Sequence, residues 1–121
     1  MNDPAWRTPK RSQKEIGKAG VRLKCVGWAR RRGWWVRKFS SPGNRSVPDD
    51  LFAKKIGAAS FKLAVEFKAP KKTSSDLQQE EQQAMRDAGW DVYVIDSMEK
   101  FVALFEPIEL VLKQTPEDWL L

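Results

Sequence analysis

The stretch Phe61-Lys62-Leu63-Ala64-Val65-Glu66-Phe67-Lys68 alternates in character from one residue to the next. An extended strand converts such a pattern into two distinct faces. Leu63, Val65 and Phe67 fall on one face, while Lys62, Ala64, Glu66 and Lys68 fall on the other, so an acid and an amine meet near the strand's end. A chain carrying this strand must build a sheet around it, and the segments on either side indicate which kind.

Residues 1–11 hold two prolines and no periodicity, and read as a flexible leader. From Ser12 the pattern is helical: Ile16, Ala19, Gly20, Leu23 and Val26 recur at spacings of three and four, with Lys14, Lys18, Arg22 and Lys24 largely elsewhere. Its glycines make this an intrinsically weak helix that depends on packing. Arg30-Arg31-Arg32 ends at Gly33, and 34–39 has the aromatic and branched character of a strand. A turn-rich loop spans 40–46, and 50–55 and 61–69 read as strands joined by a hairpin turn over 56–60. A helix follows over 75–88, closed by Gly89, then a strand over 90–95, then a helix capped by Ser97 that Pro107 interrupts after Phe105. The order α-β-β-β-α-β-α predicts a mixed α/β sheet flanked by helices, in one domain over 12–121. Trp34, Trp35 and Trp90 are expected in the core, with Cys25 packed inward and Asp50 as a solvated acid pointing away from Asp49. The apolar segment from about 106, including Trp119-Leu120-Leu121, is expected to pack on the body or on a second copy.

At 121 residues a single core must serve the whole chain. There is no histidine and only one cysteine, which removes His-based zinc sites, Ser-His and Cys-His nucleophile pairs and intrachain disulfides. Any metal must be held mainly by oxygen, which favours magnesium or manganese. The net charge of +6 favours a polyanionic partner, nucleic acid first among them. No apolar run approaches transmembrane length and no signal core opens the chain, so the expectation is a cytoplasmic protein with no membrane partner and no small-molecule cofactor.

A lone Glu-x-Lys on a strand is usually a surface ion pair. Pro48-Asp49 changes that reading by entering the neighbouring strand, because two carboxylates on adjacent strands can converge. Asp49, Glu66 and the backbone carbonyl of Phe67 would give a divalent cation three oxygens, with Lys68 placed to orient water or to stabilise developing negative charge. Several further elements stand in order along the chain: Lys38, the loop Pro42-Gly43-Asn44-Arg45-Ser46, Val47-Pro48-Asp49, Val65-Glu66-Phe67-Lys68-Ala69-Pro70, Ser75-Asp76-Leu77-Gln78 and Met85-Arg86-Asp87-Ala88-Gly89. Together they resemble the VRR-NUC branch of the PD-(D/E)XK nuclease superfamily over residues 12–105, with Val47 standing where a glycine is common.

The resemblance implies a restriction-endonuclease-like core and a catalytic centre at Asp49, Glu66 and Lys68, joined by Gln78 from the second helix and by Glu15 from the first. Glu15 and Gln78 also fit capping boxes with Ser12 and Ser75. Lys38, Arg45, Arg30, Arg31, Arg32, Lys71 and Lys72 are candidate phosphate contacts as a cluster. The implied protein is a homodimeric, magnesium- or manganese-dependent DNA endonuclease of phage or bacterial type, selective for branched or Holliday-junction-like DNA and suited to repair. The alternatives are a non-catalytic DNA-binding protein on the same fold and a nuclease acting on another structure such as flaps. A sequence-specific restriction enzyme is disfavoured, since no extra domain is available to read base edges.

Overall fold

The structure, a computed structural model, describes residues 17–112. Helix α1 (Lys18–Arg31) starts on Gly17; residues 12–16, where the sequence pattern turns helical and which include Glu15 and Ile16, lie outside the described residues. Strands β1 (Trp35–Lys38), β2 (Asp50–Ile56) and β3 (Ala59–Phe67) follow, then helix α2 (Asp76–Asp87), strand β4 (Asp91–Ile95) and helix α3 (Met98–Leu112). The sheet runs β1-β2-β3-β4, antiparallel at its first two junctions and parallel between β3 and β4, with α2 as the crossover. This is a mixed α/β architecture.

The hairpin between β2 and β3 is tighter than the sequence suggests. Ile56 pairs with Ala59, leaving only Gly57-Ala58 to turn, and Gly57 takes a positive φ of 57° that suits a residue without a side chain. β3 therefore begins two residues earlier than expected, and it ends at Phe67, two residues short of the expected Ala69. Helix α2 opens with a complete capping box between Ser75 and Gln78, and Gly89 leaves it at φ 104°.

One face of the sheet is covered by two helices and the other in part by a third. On one, Leu63, Val65 and Phe67 meet α1 and α3 through Cys25, Trp28, Phe101 and Phe105. Aromatic rings dominate this core: Phe101 and Phe105 stack at 4.1 Å, and Trp28 meets both edge-on. On the other face Ala64, Met85 and Val92 form a smaller cluster with Phe39, Leu51 and Trp90. That second layer explains how Ala64 and Glu66, on the strand's nominally polar side, are buried.

Three expectations are corrected here. The buried side of α1 carries Gly20, Cys25, Val26, Trp28 and Ala29, so Gly20 and Val26 of the expected stripe turn inward while Ala19 and Leu23, the latter 55% exposed, turn out. The buried side is rotated toward Trp28, whose ring packs edge-on against Phe101 and Phe105 of α3. Trp35 is not core: Trp34, just before β1, and Val36 within it turn inward, so alternation turns Trp35 out. Pro107 does not stop the last helix. A proline inside a helix forfeits one backbone bond and costs about 3 kcal/mol. Beyond it, however, Glu109 accepts from Trp34 Nε1 at 3.0 Å and pairs with Lys54 at 3.4 Å and Arg32 at 3.6 Å, which fixes the continuing turn to the sheet. Cys25 packs inward as expected, its Sγ 3.7 Å from Met98 Sδ, and burial pushes its thiol up to about 12. No described helix is long and apolar enough to cross a membrane.

Candidate active site

Antiparallel pairing sets Lys38 opposite Asp50 and Asp50 opposite Val65, so the end of β1, the start of β2 and the end of β3 share one edge of the sheet. Asp49 stands at that edge. Its N–H donates to the Val65 carbonyl at 3.0 Å and its carbonyl accepts from Phe39 at 2.8 Å, so its backbone is tied into the sheet on both sides. Its Oδ2 accepts from the Phe67 N–H at 2.7 Å, which fixes the carboxylate against β3. The other oxygen, Oδ1, is 3.0 Å from Lys18 Nζ.

Glu66 is 1% exposed. Its Oε2 accepts from Gln78 Nε2 at 3.2 Å and lies 3.5 Å from both Lys18 Nζ and Lys68 Nζ. Its Oε1 is buried and has no hydrogen-bond partner. Burial, and then the negative charge of Asp49, hold the Glu66 carboxyl above its ordinary value, with the two lysines pulling the other way. Lys18 shows the complementary balance. Burial disfavours its charge, but the bond to Asp49 and the charges of Asp49 and Glu66 outweigh it and raise its pKa.

The two acids therefore converge closely enough for one cationic nitrogen to contact both. Lys68 stands on their flank, its Nζ donating to Gln78 Oε1 at 2.7 Å. That same oxygen accepts from the Ser75 N–H at 2.9 Å, so Gln78 closes the helix cap and touches both Glu66 and Lys68. Gln78 thus forms the expected capping box and also bonds to two of the candidate site residues.

The unpartnered Oε1 of Glu66, beside a carboxylate whose Oδ1 already holds a cation, fits a hard divalent metal. A buried oxygen lacking any donor is costly, and a second positive charge there would satisfy it. Asp49, Glu66 and the Phe67 carbonyl are the candidate donors. Among the described residues no group of three or more His, Cys, Asp or Glu side chains gathers as a metal site.

Lys38 joins this edge. With Lys18, Ala19, Arg22, Leu23 and Asp49 it lines a cleft of about 500 Å³ that opens beside the acids. Arg45 sits exposed on the loop between β1 and β2, which Asn44 ties to Glu81 of α2 at 3.1 Å. Lys71 and Lys72 are exposed just past β3, at the same edge. The arginine run is elsewhere. Arg30, Arg31 and Arg32 lie at or just past the far end of α1, about 18 Å along its axis from Lys18. Arg32 is also engaged, resting 4.0 Å over the Trp28 ring and pairing with Glu109. Glu15 lies outside the described residues.

Asp50 is a correction. It is 0% exposed, and Arg22 Nε and Nη2 grip its two oxygens at 2.6 and 2.8 Å, so it is a buried half of a bidentate pair and not a solvated neighbour. Lys18 and Arg22 are the residues that sequence reasoning missed. Their spacing of four sets two cations one turn apart on α1, facing Asp49-Asp50, and that spacing was the available signal.

No family model matches the chain, and no curated protein does.

Proposed function

We propose that the chain is a divalent-metal-dependent endonuclease that hydrolyses DNA phosphodiester bonds, on a restriction-endonuclease-like core. The observation that carries this reading is the meeting of Asp49 and Glu66 around one cationic nitrogen, with a buried Glu66 oxygen unpartnered and Lys68 beside them. Asp49, Glu66 and the Phe67 carbonyl would hold magnesium or manganese, which would supply Lewis acidity toward water and the phosphate.

The chain's own residues do the rest. Asp49 is clamped by the Phe67 N–H on Oδ2, so Oδ1, which the Lys18 ammonium contacts at 3.0 Å, is pre-aimed toward a cation and loses little freedom on binding one. Lys68, held by Gln78, presents an ammonium to the reacting phosphate, where it orients the attacking water and stabilises negative charge as the phosphorus–oxygen bond to the leaving strand breaks. Gln78 is a positioning residue. Lys38, Arg45, Lys71 and Lys72 line the approach and hold the flanking phosphates, which the remote arginine run does not.

The test is purified protein on linear duplex, flap, single-stranded and four-way junction DNA, with magnesium, manganese or a chelator. Metal-dependent cutting, strongest on branched DNA, is expected. Binding without cutting under every metal would instead support the non-catalytic reading.

We also propose a dimer, in which two sites face opposing strands of a branched duplex. Its contact is the apolar segment from about 106, where Leu110 is exposed on α3. Light scattering at micromolar concentration should give twice the chain mass, and a monomeric mass would exclude the arrangement.

A further inference from the structure

Among the described residues, the sheet face that carries Glu66 at one end is uncovered at the other. Helix α2 packs on it through Met85, over Ala64 and Val92, and reaches its C-cap at Ala88. The cross-strand row Trp35, Ala53 and Lys62 lies beyond that contact. With Lys54, Lys55 and Phe61 this row borders a cleft of about 600 Å³, within the usual size range for a bound small molecule or nucleotide.

The chemistry of the cleft is specific. Trp35 is 47% exposed, and the Arg37 guanidinium lies 5.0 Å from its ring centre. Lys54 is committed to the Arg32 carbonyl at 2.6 Å and to Glu109. Lys55 and Lys62 are exposed and form no ion pair among the described residues. Among the described residues, no acid lines the cleft. A flat indole flanked by cations suits a nucleobase with its phosphates, since every base offers a face to stack and every linkage a charge to neutralise. Duplex DNA has its bases already stacked, so it would use the lysines and leave the indole idle.

We propose that this cleft binds single-stranded DNA, a base stacking on Trp35 and the adjoining phosphates resting on Lys55 and Lys62. The choice of DNA rests on the nuclease reading, and the strand bound here is the unpaired arm of its substrate. Binding is measurable without cleavage, so the two ideas can fail separately.

The experiment is fluorescence anisotropy of a labelled oligothymidylate with the full chain in chelator. Trp35→Ala should weaken binding about tenfold and Trp35→Phe much less. Lys55→Glu with Lys62→Glu should weaken it further and flatten the salt dependence by roughly one unit of slope per lysine. Because Trp35 is half in water, Trp35→Ala should melt close to the wild type. Wild-type affinity in Trp35→Ala, no binding by the wild type, or tighter binding of polyglutamate would each overturn the proposal. Junction cutting with Trp35-independent binding would remove the cleft and leave the nuclease, whereas Trp35-dependent binding with no cutting under any metal would do the reverse.

Discussion

Glu66→Gln should lose metal-dependent DNA cleavage by at least about a thousandfold, on the order of 4 kcal/mol of barrier, while the protein stays folded. The substitution is nearly isosteric and keeps an oxygen for Gln78 and the lysines. What it removes is the charge that burial and Asp49 make expensive. The same carboxyl leaves a signature in stability. Because the fold holds it above its ordinary 4.5, the folded state binds more protons than the unfolded chain between the two values. This group's contribution therefore improves as pH falls toward 4.5 and is lost as pH rises through the raised value. Melting curves of wild type minus Glu66→Gln across that window isolate the term from the other acids. A divalent ion adds a second readout. At a hundred times its dissociation constant it should stabilise the wild type by about 2.7 kcal/mol and leave the variant unmoved. Near wild-type cutting by Glu66→Gln would end the proposed mechanism. A retained metal shift in an inactive variant would move the ion to other ligands.

Arg22→Met should be the most destabilising single change in α1, at about 3–5 kcal/mol, a fall in melting temperature of roughly 10–20 °C. Asp50 has no contact with water, and Arg22 grips both of its oxygens. Taking the guanidinium away strands a charge inside the sheet–helix layer. The double variant Arg22→Met with Asp50→Leu should regain most of the loss, since an apolar pair of similar volume removes the stranded charge together with its partner. A shift below about 2 °C in the single variant would mean that water reaches Asp50 and that the pair contributes no more than a surface bridge.

The alternation in 61–68 is local and strong, so β3 and its inward residues were legible without a structure. So was the capping box at Ser75, whose spacing is itself the geometry. Pro48-Asp49 beside Glu66 was legible as a pair because a tight hairpin puts the start of one strand against the end of the next. The face of α1 was legible only in part: Gly20 and Val26 turn inward as the spacing indicates, but the contact of Trp28 with Phe101 and Phe105, which joins segments far apart in the chain, rotates the buried side away from Leu23. Pro107 misled for a related reason: a local breaking preference of about 3 kcal/mol is overridden when the residues after it are fixed to the body through Glu109.

Which residues can form strands and helices, where the charges fall along them, and the expectation that a metal would be held mainly by oxygen all follow from the order of residues alone, because backbone periodicity and side-chain chemistry are local properties. Only the tertiary structure decided that Asp50 is buried, that Lys18 reaches both acids, and that Trp35 faces outward. Each of these depends on which segments meet across the sheet, and burial and charge pairing are set by that encounter, not by neighbours along the chain.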